Sequence, residues 1–281
     1  MSPPLVEFMI PTLNEASHIE EVVANARLLG PVYVLDSLST DGTQELARQA
    51  GAMVIEHAFE NYSAQKNWGI DNLPFQGAWI FILDADERIT PQLREEILRR
   101  LGAAPTADGF YVNRSLVFMG RSVRYGGLYP SWNLRLFRRG KARYEARSVH
   151  EHMICDGATD YLREELIHIR RETIAQYIAK HIRYAEMESE EWFRMRSGAY
   201  PVSERSLFKD ILLYRQWLRR HLWPRMLFRP LLRFIYMYIF RLGFLDGRAG
   251  WHAARLMACY EYMISLLYRE KIMKARETRV P

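Results

Sequence analysis

The 281-residue sequence has few cysteines, no long apolar run and no low-complexity tract. Its two cysteines, Cys155 and Cys259, lie far apart and belong to no CxxC or Cys/His cluster, which argues against a disulfide framework and a zinc finger. The most apolar segment, residues 231–245, is shorter than the roughly 20 residues of a spanning helix and is interrupted by two arginines and a glycine. A basic stretch before the first apolar run is also lacking, which argues against a signal peptide. We therefore expect a folded protein of the reducing cytoplasm.

Charge is divided unevenly along the chain. Residues 170–281 carry 22 Lys and Arg against 11 Asp and Glu, a balance of +11, whereas residues 1–169 have a balance of −5 within the overall +6. Such a division predicts two parts with separate tasks. The basic part suits a polyanionic partner such as nucleic acid, anionic lipid or a phosphorylated glycan.

The first part alternates between strand-like and helix-like patterns. Ser17 and Glu20 have the spacing of a capping box, and Thr90 with Pro91 predicts an N-cap followed by the first helical position. Strands that alternate with helices predict a Rossmann-like α/β fold with a mainly parallel sheet. The predicted strands are residues 5–10, 32–35, 53–55, 78–83, 110–118 and 134–138.

After His168 the sequence becomes helical to its end, with prolines and a glycine as interruptions. We therefore predict an α/β domain at residues 1–169. A helical region rich in basic and aromatic residues follows at residues 170–281.

Polar residues follow three of the predicted strands. In a parallel sheet the ligand lies beyond the carboxyl ends of the strands, so these segments should lie close together. Asp84 and Asp86 directly follow a buried strand and can present two carboxylates to one ligand. Mg²⁺ and Mn²⁺ prefer oxygen ligands and commonly bind one or two carboxylates together with substrate phosphates. The three polar segments are residues 11–15, 36–43 and 84–87.

Four ordered motifs point to a family: IPTLNE at 10–15, LDSLSTDGT at 35–43, QKNW at 65–68 and LDADE at 83–87. In this order and spacing they closely resemble the family 2 glycosyltransferases with the GT-A fold, over about the first 170 residues. Within that family the sequence is most similar to bacterial enzymes that add a sugar, often glucose, to lipopolysaccharide core, and to enzymes of lipid-linked polysaccharide assembly. The similarity continues at residues 132, 134–139, 149–151 and 244–250.

The resemblance implies a nucleotide pocket lined by Pro11, Thr12, Glu15 and Asp36, with Asp36 accepting a hydrogen bond from the uracil ring. Many members of the family carry a second acid after that aspartate, and Ser37 takes its place here. The alternative role of Glu15 is to compensate the partial positive charge of a helix N-terminus.

The resemblance also implies how the diphosphate is bound. Asp84 would contact ribose or a metal-bound water, and Asp86 would ligate Mg²⁺ or Mn²⁺ directly. His168 would be a further metal ligand, with satisfied packing as the alternative. Lys66 suits the diphosphate or the uracil neighbourhood, unless it lies on a solvated helix face. Arg135 would contact pyrophosphate or an acceptor phosphate.

Transfer to a hydroxyl requires a base that takes the acceptor proton. Glu151 is our candidate because it follows the acceptor-side segment and resembles the position of the family's catalytic acidic residue. The alternative is an ion pair with Arg147 or another nearby arginine. The family implies inversion at the anomeric carbon.

The region from residue 205 to residue 255 interleaves arginines with aromatic residues. This pattern is typical of an interfacial helix on an anionic membrane, and an ordinary amphipathic bundle is the alternative. Single-stranded nucleic acid would also suit it, but no RRM, KH or helix-turn-helix signature is present, so we expect no nucleic-acid partner. A catalytically inactive scaffold is a further alternative, against which Asp84, Asp86 and Glu151 argue.

These observations predict a metal-dependent inverting glycosyltransferase that is peripheral on the cytoplasmic face of the membrane. It would move a hexose from a UDP-sugar donor to a lipid-anchored glycan acceptor such as lipopolysaccharide core. The alternative acceptor is a polyprenyl-diphosphate-linked oligosaccharide.

Overall fold

The computed structural model describes residues 5–145, 152–169, 173–196 and 228–277. The chain forms two compact units. The first comprises Met1–Val117 and Tyr129–Arg170, and the second comprises Phe118–Leu128 and Arg171–Pro281.

The segment Phe118–Leu128 groups with the helical unit, although the sequence places it inside the first domain. Hydrogen bonds within that unit give the reason. The amide of Gly126 donates to the carbonyl of Arg241 over 2.8 Å, and the amide of Tyr125 donates to the carboxylate of Asp246 over 2.8 Å. These long-range backbone contacts have no signal in local sequence patterns.

The described residues ahead of the C-terminal helices form eleven strands and four helices. The strands are β1 (Val6–Thr12), β2 (Val32–Asp36), β3 (Met53–Glu56), β4 (Trp79–Ile82), β5 (Glu87–Ile89), β6 (Gly109–Phe118), β7 (Arg121–Val123), β8 (Trp132–Arg138), β9 (Ala142–Tyr144), β10 (Met153–Cys155) and β11 (Thr159–His168). The helices are α1 (Ile19–Arg27), α2 (Thr43–Gln49), α3 (Tyr62–Asn72) and α4 (Pro91–Gly102).

The main sheet of the first unit runs in the order β3-β2-β1-β4-β8-β6-β11-β5. The pairs β2–β3, β1–β2, β1–β4 and β6–β11 are parallel, whereas β8 and β5 pair antiparallel to their neighbours. The prediction of a mainly parallel α/β sheet is therefore confirmed. Strands β1, β2 and β4 are apolar on both faces because hydrophobic clusters cover both sides of the sheet.

The start of α4 is as predicted, since Thr90 caps it by accepting from the amide of Leu93 over 3.1 Å and Pro91 opens the first turn. The predicted capping box at α1 is wrong. The N-cap residue is His18, and its side chain makes no capping hydrogen bond. The chain ahead of α1 is held by another loop instead, because the amide of Ala16 donates to the carboxylate of Asp41 over 3.0 Å.

Apart from the segment Phe118–Leu128, which contains β7, the second unit is helical in its described part, as the sequence predicts. It contains α5 (Ile174–Arg196), α6 (Arg229–Ile235), a π-helix (Tyr236–Phe240), a 3-10 turn (Gly243–Asp246) and α7 (Gly247–Glu277). Helices α5 and α7 meet through Trp192 and Tyr268, whose ring centroids lie 5.9 Å apart. Arg229 is buried, donates to the carboxylate of Glu261 over 2.6 Å and lies 4.4 Å from the ring centroid of Trp192. None of the helices within the described ranges combines the length and apolar character that a membrane-crossing segment needs.

Candidate active site

The carboxyl ends of β1, β2 and β4 form one rim of the sheet. Thr12 and Asp36 are register partners at the ends of β1 and β2. β4 ends at Ile82, and its chain continues directly into Asp84 and Asp86. The parallel register therefore brings together the polar segments that the sequence places after separate strands, as predicted.

Asp36 is completely buried and both of its carboxylate oxygens are in use. Oδ1 accepts from the amide of Ser39 over 2.8 Å and from the side chain of Gln44 over 2.7 Å. Oδ2 accepts from the hydroxyls of Thr12 over 3.0 Å and Ser39 over 2.5 Å. Asp36 therefore fixes the loop between β2 and α2. A nucleobase could donate to its carboxylate only if one of these four hydrogen bonds were broken. The contact with uracil stays a prediction.

The loop after β1 is tied to the loop after β2. The amide of Glu15 donates to the hydroxyl of Thr43 over 2.8 Å. Slight burial would raise the pKa of Asp41, but hydrogen bonds from Thr43 and from the amide of Ala16 lower it below its usual range. Pro11 precedes Thr12 in β1 and pairs with Leu35. Both Pro11 and Glu15 thus lie at the predicted rim, and their contact with a nucleotide stays a prediction.

Gln65 contacts the loop after β2 through Ser37. It belongs to the QKNW motif, and its role in the site was not predicted from the sequence. It is buried, donates to the hydroxyl of Ser37 over 3.0 Å and contacts Nδ1 of His57 over 2.7 Å. The His57 ring in turn stacks on Trp68 at 4.1 Å between centroids. Ser37 therefore replaces the second acid of the family with a hydroxyl that is already bonded.

Asp84 lies between two cations. Nη2 of Arg135 donates to its Oδ2 over 2.5 Å, and Nζ of Lys66 lies 3.7 Å from its Oδ1. The Lys66 ammonium also lies 5.0 Å from the ring centroid of Tyr144, and its side chain is 12% exposed, so the alternative of a solvated helix face is wrong. Burial would raise the pKa of Asp84, but Arg135 and Lys66 lower it well below its usual range.

Glu87 completes this cluster, and no site role was predicted for it from the sequence. Its carboxylate is fully buried, accepts from Arg135 over 2.7 Å and from the amide of Asp84 over 3.0 Å, and lies 3.6 Å from Arg114. Burial raises the pKa of Glu87 despite these cations. Arg114 comes from β6, and nothing in its local sequence marks it, because only the sheet order brings β6 near this loop.

Arg135 is buried and spans both carboxylates, and Arg138 points elsewhere, to Asp108. The strand period predicts this separation of the two arginines. Burial would lower the pKa of Arg135, but Asp84 and Glu87 raise it well above its usual value. The contact of Arg135 with pyrophosphate or an acceptor phosphate stays a prediction.

Asp86 and His168 meet although 82 positions separate them in the chain. Nε2 of His168 lies 2.7 Å from Oδ2 of Asp86, and the amide of Ile169 donates to the carbonyl of Asp86 over 2.7 Å. The Asp86 side chain is 37% exposed, whereas that of His168 is 8% exposed. Burial would raise the pKa of Asp86, but the hydrogen bond to His168 lowers it below its usual range.

The side chain of Arg88 holds the backbone of the loop that carries Asp84 and Asp86. The buried Arg88 donates to the carbonyls of Ala85 and Glu87, each over 2.8 Å, and to the carbonyl of His18 over 3.1 Å. Arg88 thereby joins the loop after β4 to the start of α1, which follows the loop after β1.

Glu151 lies outside the described residues, so its role as the base stays a prediction. The described residues on either side of it are close together, because the amide of Glu145 donates to the carbonyl of His152 over 2.9 Å. Glu145 directly follows Tyr144, whose ring faces Lys66. The chain therefore enters and leaves the Glu151 segment beside the Asp84 cluster.

The residues around Asp86 fit a hard divalent cation in part. Oδ2 of the partly exposed Asp86 and Nε2 of His168 lie 2.7 Å apart, and the second nitrogen of His168, Nδ1, is buried without a hydrogen-bond partner among the described residues. Carboxylate oxygen suits Mn²⁺ and Mg²⁺, whose remaining positions are commonly filled by phosphate oxygens and water, whereas imidazole is the softer of the two ligands. Within the described ranges, no group of three or more His, Cys, Asp or Glu side chains is placed to hold a metal ion.

Comparison with known proteins gives one family. Residues 7–169 match the family model described as "Glycosyl transferase family 2". The chain is similar to the lipopolysaccharide core biosynthesis glycosyltransferase LpsC of Rhizobium meliloti (strain 1021), with 29% identity over 228 residues that cover 78% of this chain and 83% of LpsC. It is 26% identical to an uncharacterized glycosyltransferase of Rickettsia bellii (strain RML369-C) over 188 residues, which cover 62% of this chain and 63% of that protein.

Among solved structures, the chain is similar to glucosyl-3-phosphoglycerate synthase from Mycobacterium tuberculosis in complex with Mg²⁺ and uridine diphosphate. The match has 21% identity and a TM-score of 0.33, and it covers 38% of this chain and 42% of the synthase chain. The chain therefore spans less than two thirds of the Rickettsia protein and less than half of the synthase.

Proposed function

The chain belongs to glycosyl transferase family 2, and we propose that it transfers a hexose from a UDP-sugar to a lipid-anchored bacterial glycan of the lipopolysaccharide-core type. The observation that carries the proposal is the pairing of Asp86 with His168 beside the Asp84–Arg135–Lys66 cluster, at the rim where the parallel strands end. The match to LpsC, whose name places it in lipopolysaccharide core biosynthesis, supports this class of acceptor.

In this proposal Asp86 and His168 hold Mg²⁺ or Mn²⁺. A divalent cation bound there would neutralise charge on the donor's diphosphate as the bond to the sugar breaks. The 2.7 Å contact between the two side chains fixes the ring of His168 and keeps Asp86 ionised before the donor binds.

Lys66 and Arg135 provide the protein's own positive charge for the leaving nucleoside diphosphate. Both already contact Asp84, so a diphosphate would share these cations with a carboxylate that stays ionised. Thr12, Glu15 and Asp36 would face the nucleoside end from the neighbouring strand ends. This arrangement orients the donor along the rim, from the base near β2 to the diphosphate near β4.

Glu151 would take the proton of the acceptor hydroxyl as that oxygen attacks the anomeric carbon. The bond from the anomeric carbon to the diphosphate oxygen breaks with its electron pair on the departing UDP, and the configuration inverts. The anchored ends of the Glu151 segment beside Tyr144 support this role.

Glu151→Gln tests the assignment of the base. We expect this variant to bind UDP with wild-type affinity and to lose at least about 100-fold in turnover, which is the usual contribution of a general base. Isothermal titration with UDP and Mn²⁺ gives the affinity, and release of UDP in the presence of acceptor gives the turnover. Wild-type turnover in Glu151→Gln would remove the base role.

The acceptor's lipid anchor suggests that the enzyme works at a membrane surface. The described C-terminal helices carry several exposed apolar side chains, of which Phe240 is 74% and Phe228 is 69% exposed, and Arg241 and Arg248, nearby in the chain, are exposed as well. Large apolar residues beside arginines suit the interface of an anionic bilayer. We define the apolar patch as Phe228, Leu231, Tyr236, Ile239, Phe240, Leu242, Phe244 and Leu245.

Flotation of the full-length protein with liposomes tests this contact, and a location on the cytoplasmic face stays a prediction. The wild-type protein should float with vesicles of phosphatidylglycerol and phosphatidylethanolamine, and it should float less with phosphatidylcholine alone. The double variant Ile239→Ser/Phe240→Ser should lose flotation, whereas Leu266→Ser, at a 55% exposed position on α7, should keep it. A wild-type protein that stays at the bottom with both vesicle types contradicts the membrane contact.

A further inference from the structure

Three aromatic side chains from three strands form a surface cluster that has no task in the donor site. The rings of Tyr111 and Tyr161 are stacked at 5.1 Å between centroids, and Trp132 meets Tyr161 edge-to-face at 4.9 Å. Trp132 is 38% exposed and Tyr161 is 51% exposed. We call Tyr111, Trp132 and Tyr161 the aromatic platform.

The aromatic platform lies at about the same level along the strands as the loop after β4. β8 runs antiparallel to β4, so the residues that precede Arg135 lie at the level of the loop beyond β4. Trp132 comes three residues before Arg135, which is about 10 Å along a strand. The register shift between the pairs Phe110–Leu136 and Tyr111–Leu134 leaves Arg135 as an extra residue in β8, so strict alternation of faces does not apply between Arg135 and Trp132. Tyr111 packs against a hydrophobic cluster that contains Leu134 and Tyr144.

Tyr144 belongs to the hydrophobic cluster against which Tyr111 packs, and it also lies beside the candidate active site. Its ring faces Lys66, which contacts Asp84, and its backbone leads into the segment that carries Glu151. The chain returns from that segment into β10, whose Cys155 packs in the same cluster as Tyr111. Tyr144 and Cys155, which flank Glu151 in the chain, therefore belong to or pack against the same hydrophobic cluster as Tyr111.

The chemistry of the platform suits a carbohydrate. The face of an aromatic ring is electron-rich, and one side of a pyranose ring presents polarised C–H groups that pack on such a face. Tyrosine hydroxyls at the edge of the cluster can bond sugar hydroxyls, while exposed aromatic groups without a ligand are costly in water. Direct pairing of Tyr111 with Tyr161 across adjacent strands explains that pair, but it gives no reason for the added exposed tryptophan from β8.

We propose that the aromatic platform binds a sugar ring of the acceptor glycan and thereby directs its hydroxyl toward the donor. This inference rests on the proposed function, because it assigns the acceptor to a surface beside the proposed donor site. It predicts a binding surface for neutral saccharide that requires neither UDP nor a metal ion.

The test separates acceptor binding from transfer. The probe is the core oligosaccharide released by mild acid from lipopolysaccharide of a strain that lacks this gene, and its binding is measured by saturation-transfer NMR without donor. Trp132→Ala and Tyr161→Ala should each weaken binding by about tenfold, which is the scale of one lost ring contact. In the transfer assay the same variants should raise the KM for acceptor about tenfold and leave the KM for UDP-sugar unchanged.

Two controls keep the result specific. Tyr161→Phe keeps the ring and should keep most of the binding, and Tyr262→Ala removes a 58% exposed tyrosine on α7 and should change nothing. Stabilisation by UDP and Mn²⁺ in a thermal shift shows that each variant is folded. Oligosaccharide binding that is equal in wild type, Trp132→Ala and Tyr161→Ala overturns the platform, as does self-association that disappears in both variants while oligosaccharide binding does not change.

Failure of the proposed function has a different signature. If the oligosaccharide binds the wild-type platform but no UDP-sugar is consumed, the platform stands and the transferase proposal fails. If sugar is transferred with the same acceptor KM in wild type and in Trp132→Ala, the transferase proposal stands and the platform fails.

Discussion

In the proposed donor site, the nucleotide side of the rim contains the buried Asp36, and the diphosphate side contains Asp84 and the buried Glu87. The hydrogen-bond partners of these carboxylates differ in charge. Asp36 accepts hydrogen bonds from hydroxyl, amide and side-chain amide groups, none of which carries a charge. Asp84 and Glu87 share Arg135 and lie near Lys66 and Arg114, which are all cations. The hydrogen bonds to Asp36 fix the shape of a loop. The ion pairs of Asp84 and Glu87 hold cations that a charged ligand could also contact.

This difference decides what each side can tolerate. Hydroxyl donors can reverse direction and accept, so the environment of Asp36 can adapt to a change of its partner atom. A buried cation that loses its carboxylate partners cannot adapt in this way and carries the cost of desolvation, and a buried carboxylate that loses its cation carries that cost or takes up a proton. Substitutions on the two sides should therefore differ in size and in pH dependence.

The largest effect is expected at Asp86, on the diphosphate side. Asp86→Ala removes the exposed carboxylate that pairs with His168, so turnover that depends on Mg²⁺ or Mn²⁺ should fall by at least about 1,000-fold, the scale of several kcal/mol of charge stabilisation. A titration of metal in the UDP-release assay measures the loss. Turnover within tenfold of wild type would show that the metal proposal is wrong.

The next effect is expected at Arg135. Arg135→Gln leaves Asp84 and Glu87 side by side without their shared cation, so the free energy of unfolding should fall by about 3–5 kcal/mol at neutral pH. Urea denaturation measures it. Arg138→Gln is the matched control on the same strand, because its partner Asp108 lies in a more exposed pair, and it should cost about 1 kcal/mol or less.

The loss in Arg135→Gln should also depend on pH. In the wild-type protein Arg135 and Lys66 lower the pKa of Asp84, so the ionised carboxylate contributes stability above its unfolded pKa and loses it only in strong acid. Without Arg135 that pKa rises, and the folded variant binds a proton more readily than the wild type does. The deficit relative to wild type should therefore shrink between pH 8 and pH 5. A deficit that is constant over this range would contradict the charge argument.

The smallest effect on stability is expected on the nucleotide side. Asp36→Asn should cost about 1 kcal/mol, because the hydroxyls of Thr12 and Ser39 can accept from the new amide group. UDP should nevertheless bind about tenfold more weakly, since the single remaining acceptor must serve Ser39, Gln44 and the uracil ring. Urea denaturation and titration with UDP give the two values. Unchanged UDP affinity would limit Asp36 to holding its loop.

The sequence predicted much of this site because strand ends of a parallel sheet converge. Thr12, Asp36 and Asp84 each follow an apolar run, and knowledge of the strand order is not needed to expect them at one rim. His168 came from the family resemblance alone. Its approach to Asp86 depends on the antiparallel pairing of β11 with β5, which joins His168 to Glu87 in register.

Other parts of the site had no local signal. Arg114 reaches Glu87 from β6, and Arg88 binds carbonyl groups of the loop that it follows as well as that of His18. The capping box at Ser17 was predicted wrongly because Asp41 and Thr43, from another loop, hold the backbone ahead of α1. Local spacing describes neighbours in the chain, and these partners are neighbours only in space.

The sequence by itself determined the strand-and-helix alternation, the acidic rim and the helical, basic second half, since each follows from periodicity and composition within a few residues. Only the tertiary structure decided which charges are shared: Arg135 between Asp84 and Glu87, Lys66 over Tyr144, and His168 on Asp86. The physical reason is that Coulomb and hydrogen-bond energies depend on distance and burial, and those are set when separate strands pair and exclude water.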